Sequence, residues 1–252
     1  MVEDKKMTIR RHGFPLGIGE PLSRFESDTE IKAHPLYEQA KAGCAQSAIS
    51  LVDDLAVDFL AEHRDRLPTD AIYVAPHARE ATGDNAIPQV LATACAMVAQ
   101  GRVETEIVQA SRVFHTGADP MERLSLRPVF EGGVIAGARY ALVDDVMSMG
   151  NTLAELADYL QAAGGVVDSV VVLVNAGRIK ALRPQRNVIR KLEERFPHDI
   201  EKILGIIPSA LTANEAGYLI GFRSADEIRN RLAKARKETN LRLRSKGIEV
   251  EN

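Results

Sequence analysis

Through the middle of the chain, short apolar runs alternate with stretches of helical period. "AIYVAP" (71–76) predicts a short buried strand, "IPQVLATACAMVAQG" (87–101) a helix stopped by Gly101, and "VETEIVQ" (103–109) a second strand. A further strand opens at Tyr140, a helix follows over about 152–163 and stops at Gly164-Gly165, and "VVDSVVVLVN" (166–175) is a β-branched strand. Such alternation predicts an α/β fold with a largely parallel sheet flanked by helices. Upstream, residues 34–67 read as a long helical region. Ile49, Val52, Leu55, Ala56, Phe59 and Leu60 fall at three- and four-residue steps on one apolar face, with Asp53-Asp54 on a solvated one. Residues 1–30 read as irregular, and 128–137 as a hairpin around Gly132-Gly133. Residues 111–128 show no strong period; so long a loop in a compact domain is usually functional or mobile.

After Asn175 the pattern becomes basic and helical, with a break at Pro197. Residues 211–237 have the proportions of a helix-turn-helix joined by "GFRS". Leu219, Ile220 and Phe222 would pack against Ile228 and Leu232, and Ser224 would cap the second helix. Arg229, Arg231, Lys234 and Arg236 would then line that helix, where phosphate or base contacts form in nucleic-acid binders. The competing reading is a helical appendage packed on the core or on a second subunit.

Charge sharpens this division. Residues 1–175 hold 15 Lys and Arg against 25 Asp and Glu, and residues 176–252 hold 17 against 10. The body is therefore near −10 and the tail near +7, hidden inside a net charge of −3. Apolar residues at 45% and charged residues at 27% are ordinary for a globular protein. Cys44 and Cys95 lie far apart, with neither metal-type spacing nor a disulfide framework. The N-terminus has no secretory apolar core and no run of about 18 apolar residues exists, so a cytoplasmic protein without a membrane segment is expected.

The most informative stretch is "YALVDDVMSMGNTL" (140–153), where an apolar run meets two adjacent carboxylates, Asp144 and Asp145, before a small polar turn and a helix. Unpaired amides at a helix N-terminus bind phosphate, Gly150 allows close approach, and Ser148 and Thr152 add hydroxyls. The turn has no Lys and lacks the glycine spacing of a nucleotide P-loop, which disfavours an NTPase. Gly17-Ile18-Gly19 has neither the strand before it nor the helix after it that a nucleotide loop needs. Acids beside a phosphate cradle suit a sugar phosphate, the acids accepting hydrogen bonds from vicinal hydroxyls. In a parallel sheet, "PHARE", Asp144-Asp145 and Asn175 would converge at strand carboxyl ends.

The run Val143-Asp144-Asp145-Val146-Met147-Ser148-Met149-Gly150-Asn151-Thr152 resembles the phosphoribosyl-pyrophosphate (PRPP) motif of type I phosphoribosyltransferases. Met149 stands where that family usually has Thr, which removes one hydroxyl but leaves the backbone cradle. "GDNAIPQVLA" is also similar, more weakly, to competence-associated phosphoribosyltransferase-like proteins, sharing Asn85 though not the neighbouring Gln in register. The resemblance spans roughly residues 70–175 and implies a hood and helix over 1–65, a phosphoribosyltransferase core over 66–178, and a basic helical tail over 179–252. It implies transfer of 5-phosphoribosyl from PRPP to a base-like acceptor with release of pyrophosphate. Asp144 and Asp145 would be catalytic, holding ribose hydroxyls or, through water, Mg²⁺. Ser148, Met149, Gly150, Asn151 and Thr152 would take the 5′-phosphate; His77, Ala78 and Arg79 would take pyrophosphate; His115 and Arg123 would sit on a mobile loop. Family members often form dimers. The acceptor base is not legible in residues 1–35, Asn175 or Arg178. The rival function is a PRPP-sensing regulator with a nucleic-acid-binding tail and little turnover; a PRPP synthetase is disfavoured by chain length and the lack of an ATP-binding segment.

Overall fold

The structure is a computed structural model that describes residues 8–77, 85–110 and 119–245. The N-terminal part carries β1 (Leu22–Phe25), α1 (Thr29–Ala33), α2 (Tyr37–Lys41), α3 (Ala45–Val52) and α4 (Asp58–Glu62), with one π-helical turn joining the last two. There follow β2 (Ile72–Val74), α5 (Ile87–Ala99), β3 (Arg102–Glu104), β4 (Val108–Gln109), α6 (Pro120–Ser125) and β5 (Phe130–Glu131). Then come β6 (Arg139–Met147), α7 (Asn151–Ala162) and β7 (Val166–Asn175), and finally α8 (Arg186–Arg195), α9 (Asp199–Leu204), α10 (Ala213–Leu219) and α11 (Ala225–Ser245).

Five strands form one sheet in the order β1-β7-β6-β2-β3, and every pair in it is parallel. The α/β expectation is met. Successive residues of a strand face opposite layers, and β6 shows this directly. Ala141 and Val143 join one core with Ile31, Leu51, Leu60 and Leu91 from the helices before β6. Tyr140 and Leu142 join another with Leu153, Leu156 and Leu160 of α7. Both faces of the sheet are covered, so the central strands are apolar on both sides, as parallel sheets require.

Four expectations are corrected. The region read as irregular contains β1, whose backbone finds an edge partner in β7 through Leu22↔Val171 and Phe25↔Val174. "VETEIVQ" is two strands, because β3 pairs with β2 whereas β4 turns away to pair antiparallel with β5. That pairing replaces the hairpin expected around Gly132-Gly133. The long helical region is broken into α2, α3, the π turn and α4, and Ile49 is exposed because Ala48, Leu51 and Val52 set the buried face. Asp53 and Asp54 are solvated as expected.

A third core, built from α8–α11, takes in Met121 and Leu124 of α6 together with Met149. The basic helices therefore pack on the sheet domain through apolar contact. Arg231 is bound to Asp119 at 2.6 Å, Arg229 to Asp199 at 2.7 Å, and Lys234 lies 3.8 Å from Glu238; Arg236 is exposed. Three of the four cations expected to meet nucleic acid thus face carboxylates of this chain. Among the described residues, no helix is long and apolar enough to cross a membrane.

Candidate functional site

β6 does not end at the acids. Its ladder with β7 continues through Asp144↔Val172 to Met147↔Asn175, so both aspartates are strand residues with paired backbone. This corrects the expectation that the strand stops at them. Asp145 reaches Lys41 of α2 and Asn85 just before α5, on the side of the sheet that Val143 faces.

The two carboxylates are held differently. Asp145 is 4% exposed. Its Oδ2 accepts from Lys41 Nζ at 2.9 Å and from Asn85 Nδ2 at 2.7 Å, while Oδ1 accepts from the Val146 amide at 2.8 Å. Asp144 is half-buried, and its Oδ1 accepts from the Asp145 amide at 2.9 Å. Burial raises the Asp144 carboxyl well above the ordinary carboxylate range, and the Asp145 charge beside it raises it further, against the pull of Lys41. Burial also works to raise Asp145, but the charge and hydrogen bond of Lys41, with the Asn85 and Val146 donors, outweigh it and hold Asp145 below its ordinary value. A proton entering the pair therefore rests on Asp144.

Beyond β6 the chain turns through Ser148 and Met149 to Gly150, the N-cap of α7, at φ 77°. A Cβ there would find ordinary contacts, 3.5 Å to Met147 Sδ and 3.6 Å to Thr212 Cγ2, so conformation and not space selects glycine. A glycine cap supplies no side-chain acceptor, and the first amides of α7 have no intrahelical one. The turn's carbonyl side, by contrast, is packed against the protein. Thr212 Oγ1 donates to Met149 O at 2.7 Å, and Gly177 lies so close that a Cβ would sit 2.8 Å from Ser148 O. The protein thus packs against the acceptor side of the turn, whereas the amides at the helix start have no side-chain cap. Met149 is buried in the third core, which explains an apolar residue in this position. Ser148 and Thr152 are half-buried; Asn151 is buried and donates to Arg123 O at 3.1 Å.

Arg123 is not on a loop. Residues 120–125 form α6, fixed by Pro120 in its first turn and a capping box in which Asp119 and Glu122 satisfy each other's amides. Its guanidinium donates to Ser148 Oγ at 3.0 Å, which puts it at the turn. Ala78, Arg79 and His115 lie outside the described residues. His77 is half-buried just beyond β2, its ring nitrogen 3.2 Å from Ala75 O. Asn175 is consumed by its own turn, bonding Lys180 O and the Gly177 amide, and Arg178 is exposed.

Reasoning from sequence missed Lys41. It sits in a helical stretch with no motif, and only the fold brings it across 104 positions to Asp145. Asn85 was marked by its neighbours in the sequence, but its bond to Asp145 was not.

The acid pair fits Mg²⁺ in a restricted sense. Both Asp145 oxygens are taken by donors of this chain, and among the described residues no group of three or more His, Cys, Asp or Glu is disposed to hold a metal. A hard cation could use an Asp144 oxygen, with its remaining ligands from water and a phosphorylated ligand.

No protein-family model matches the chain. It is similar to Protein TraN of Escherichia coli, 35% identical over 210 residues, which is 81% of this chain and 47% of that protein. It is also similar to an uncharacterized protein of Haemophilus influenzae, 38% identical over 134 residues, 52% of this chain and 30% of the other. The chain therefore spans less than half the length of these relatives. Among solved structures, adenine phosphoribosyltransferase from Thermoanaerobacter pseudethanolicus aligns with a TM-score of 0.34 and 16% identity, over 50% of this chain and 72% of that one. Purine phosphoribosyltransferase from Pyrococcus horikoshii aligns at 0.33 and 17%, over 50% and 76%. Likeness at this level carries no argument, and the functional assignment rests on the residues at the end of β6.

Proposed function

We propose that the chain is a type I phosphoribosyltransferase acting on PRPP and a base-like acceptor. The observation that carries the reading is the juxtaposition of an acid pair, one member buried and one half-buried, near the carboxyl end of a central strand with a glycine-capped helix start just beyond it. Asp144 accepts from the ribose hydroxyls, since it is half-buried and only one of its oxygens is engaged by backbone. Asp145 fixes the pocket wall through Lys41 and Asn85. The amides at the start of α7, with Ser148 and Thr152, take the 5′-phosphate, and the Arg123 guanidinium on Ser148 adds positive charge there. His77, with Ala78 and Arg79 beyond the described residues, stands at the exit of β2 for pyrophosphate. Bound Mg²⁺ would neutralise pyrophosphate oxygens. The residues of the chain then act mainly by positioning the ribose and by electrostatic stabilisation of positive charge developing at its C1. Cytoplasmic placement and a homodimer belong to the same reading.

Incubating the purified protein with PRPP, Mg²⁺ and a panel of purine and pyrimidine bases tests it. Base-dependent pyrophosphate release is expected with at least one acceptor. Absence of PRPP binding would contradict the reading.

A further inference from the structure

Lys41 bonds a member of the acid pair directly, and it comes from outside the motif. α2 brings it in, and α2 is tied to the segment that carries Asn85, because the Ala86 amide donates to Ala40 O at 3.2 Å. Lys41 and Asn85 are therefore held side by side and converge on the same atom, Asp145 Oδ2, at 2.9 and 2.7 Å. An ammonium carries three donors. Among the described residues, Asp145 is the hydrogen-bond acceptor Lys41 has, and its side chain is 38% exposed where that of Asp145 is 5% exposed. A purely structural ion pair would serve as well with both partners sunk. Here the acid is sunk and the base is partly exposed beside it.

We propose that Lys41 is a ligand-binding residue of the phosphoribosyl site, its ammonium anchored on Asp145 and offered to the pyrophosphate end of PRPP. This rests on the reading above and deepens it. Asp145 supplies the anchor, so it buries its charge without repelling the polyanion, and Asp144 is left for the ribose. Lys41 bonds Asp145, in the acid pair that faces the sugar, and this assigns it to the ribose and pyrophosphate end. Its contribution should therefore depend on whether the ligand carries pyrophosphate.

Calorimetric titration of Lys41→Met and Lys41→Arg with PRPP and with ribose 5-phosphate, in Mg²⁺, tests this. Lys41→Met should weaken PRPP binding by about tenfold or more, the scale of one charge-assisted contact, and change ribose 5-phosphate binding by less than about threefold. Lys41→Arg should keep PRPP affinity within about threefold of the wild type, since the charge and a donor remain. The inference is overturned if Lys41→Met binds PRPP like the wild type. It is equally overturned if both ligands weaken together with a lowered melting temperature, which marks a structural bridge. A wild-type protein that fails to bind PRPP at all overturns the enzyme reading, and this inference with it.

Discussion

Asp144→Asn is expected to make the protein more stable at pH 7 while lowering its affinity for PRPP by about tenfold or more, the cost of a charged hydrogen-bonding group. The sign follows from the raised pKa of Asp144, whose cause is burial, then the Asp145 charge. The folded chain binds this proton more tightly than the unfolded chain does, so between the two values the folded state carries more protons and stability falls as pH rises. The penalty is absent below the unfolded value of about 4, and complete once pH exceeds the folded value. Asparagine removes the penalty, so the melting temperatures of wild type and variant should coincide in acid and separate as pH rises. Asp145 behaves oppositely. Its carboxyl is held down by Lys41 and Asn85 against burial, so its contribution is present above the unfolded value and lost as pH falls through the folded one. Asp145→Asn therefore destabilises at pH 7. Two neighbouring acids with opposite effects on melting temperature are the mark of a site in which one is kept costly for a ligand. Melting curves of both variants from pH 3 to pH 8 check this; a destabilised Asp144→Asn at neutral pH would contradict it.

Arg10→Met is expected to cost about 3–5 kcal/mol, the scale of removing one partner from a buried ion pair. Arg10 is fully buried and bonds both Glu155 of α7, at 3.0 Å, and Glu215 of α10. Arg127 shares Glu155 through a two-pronged contact of 2.6 and 2.8 Å and reaches the carbonyls of Thr8 and Gly205. Among the described residues, losing Arg10 leaves Glu215 buried with no cation of its own. For a chain of this size the loss corresponds to roughly 10 °C in melting temperature. A double variant, Arg10→Met with Glu215→Gln, should recover part of it, because removing both charges costs less than stranding one. A single variant that melts with the wild type would show that the network contributes little. The network also joins α7, whose start forms the phosphate turn, to α10, whose N-cap Thr212 bonds that same turn.

The sheet was legible because β2, β6 and β7 are central strands, apolar on both faces, and such runs need no partner to be recognised. β1 was not, since "LSRF" has one buried apolar residue, Leu22, and becomes a strand only beside β7. α6 carries a readable signal, since Asp119, Pro120 and Glu122 spell a capped helix start within an otherwise aperiodic stretch. The acids and the turn were legible because their chemistry is local. Lys41, Arg10 and Glu155 were not, because long-range ion pairs between helices leave no period in a sequence. Nor could the tail's cations be judged from composition; Arg229 and Arg231 look available until Asp199 and Asp119 arrive from other helices.

The most direct measurement is a calorimetric titration of PRPP with Mg²⁺ into the wild type and into the double variant Asp144→Asn, Asp145→Asn, with circular dichroism to establish that both are folded. Measurable binding to the wild type and none to the folded variant is the predicted result. Equal affinity in the two would contradict the claim that the acid pair of β6 holds an activated pentose.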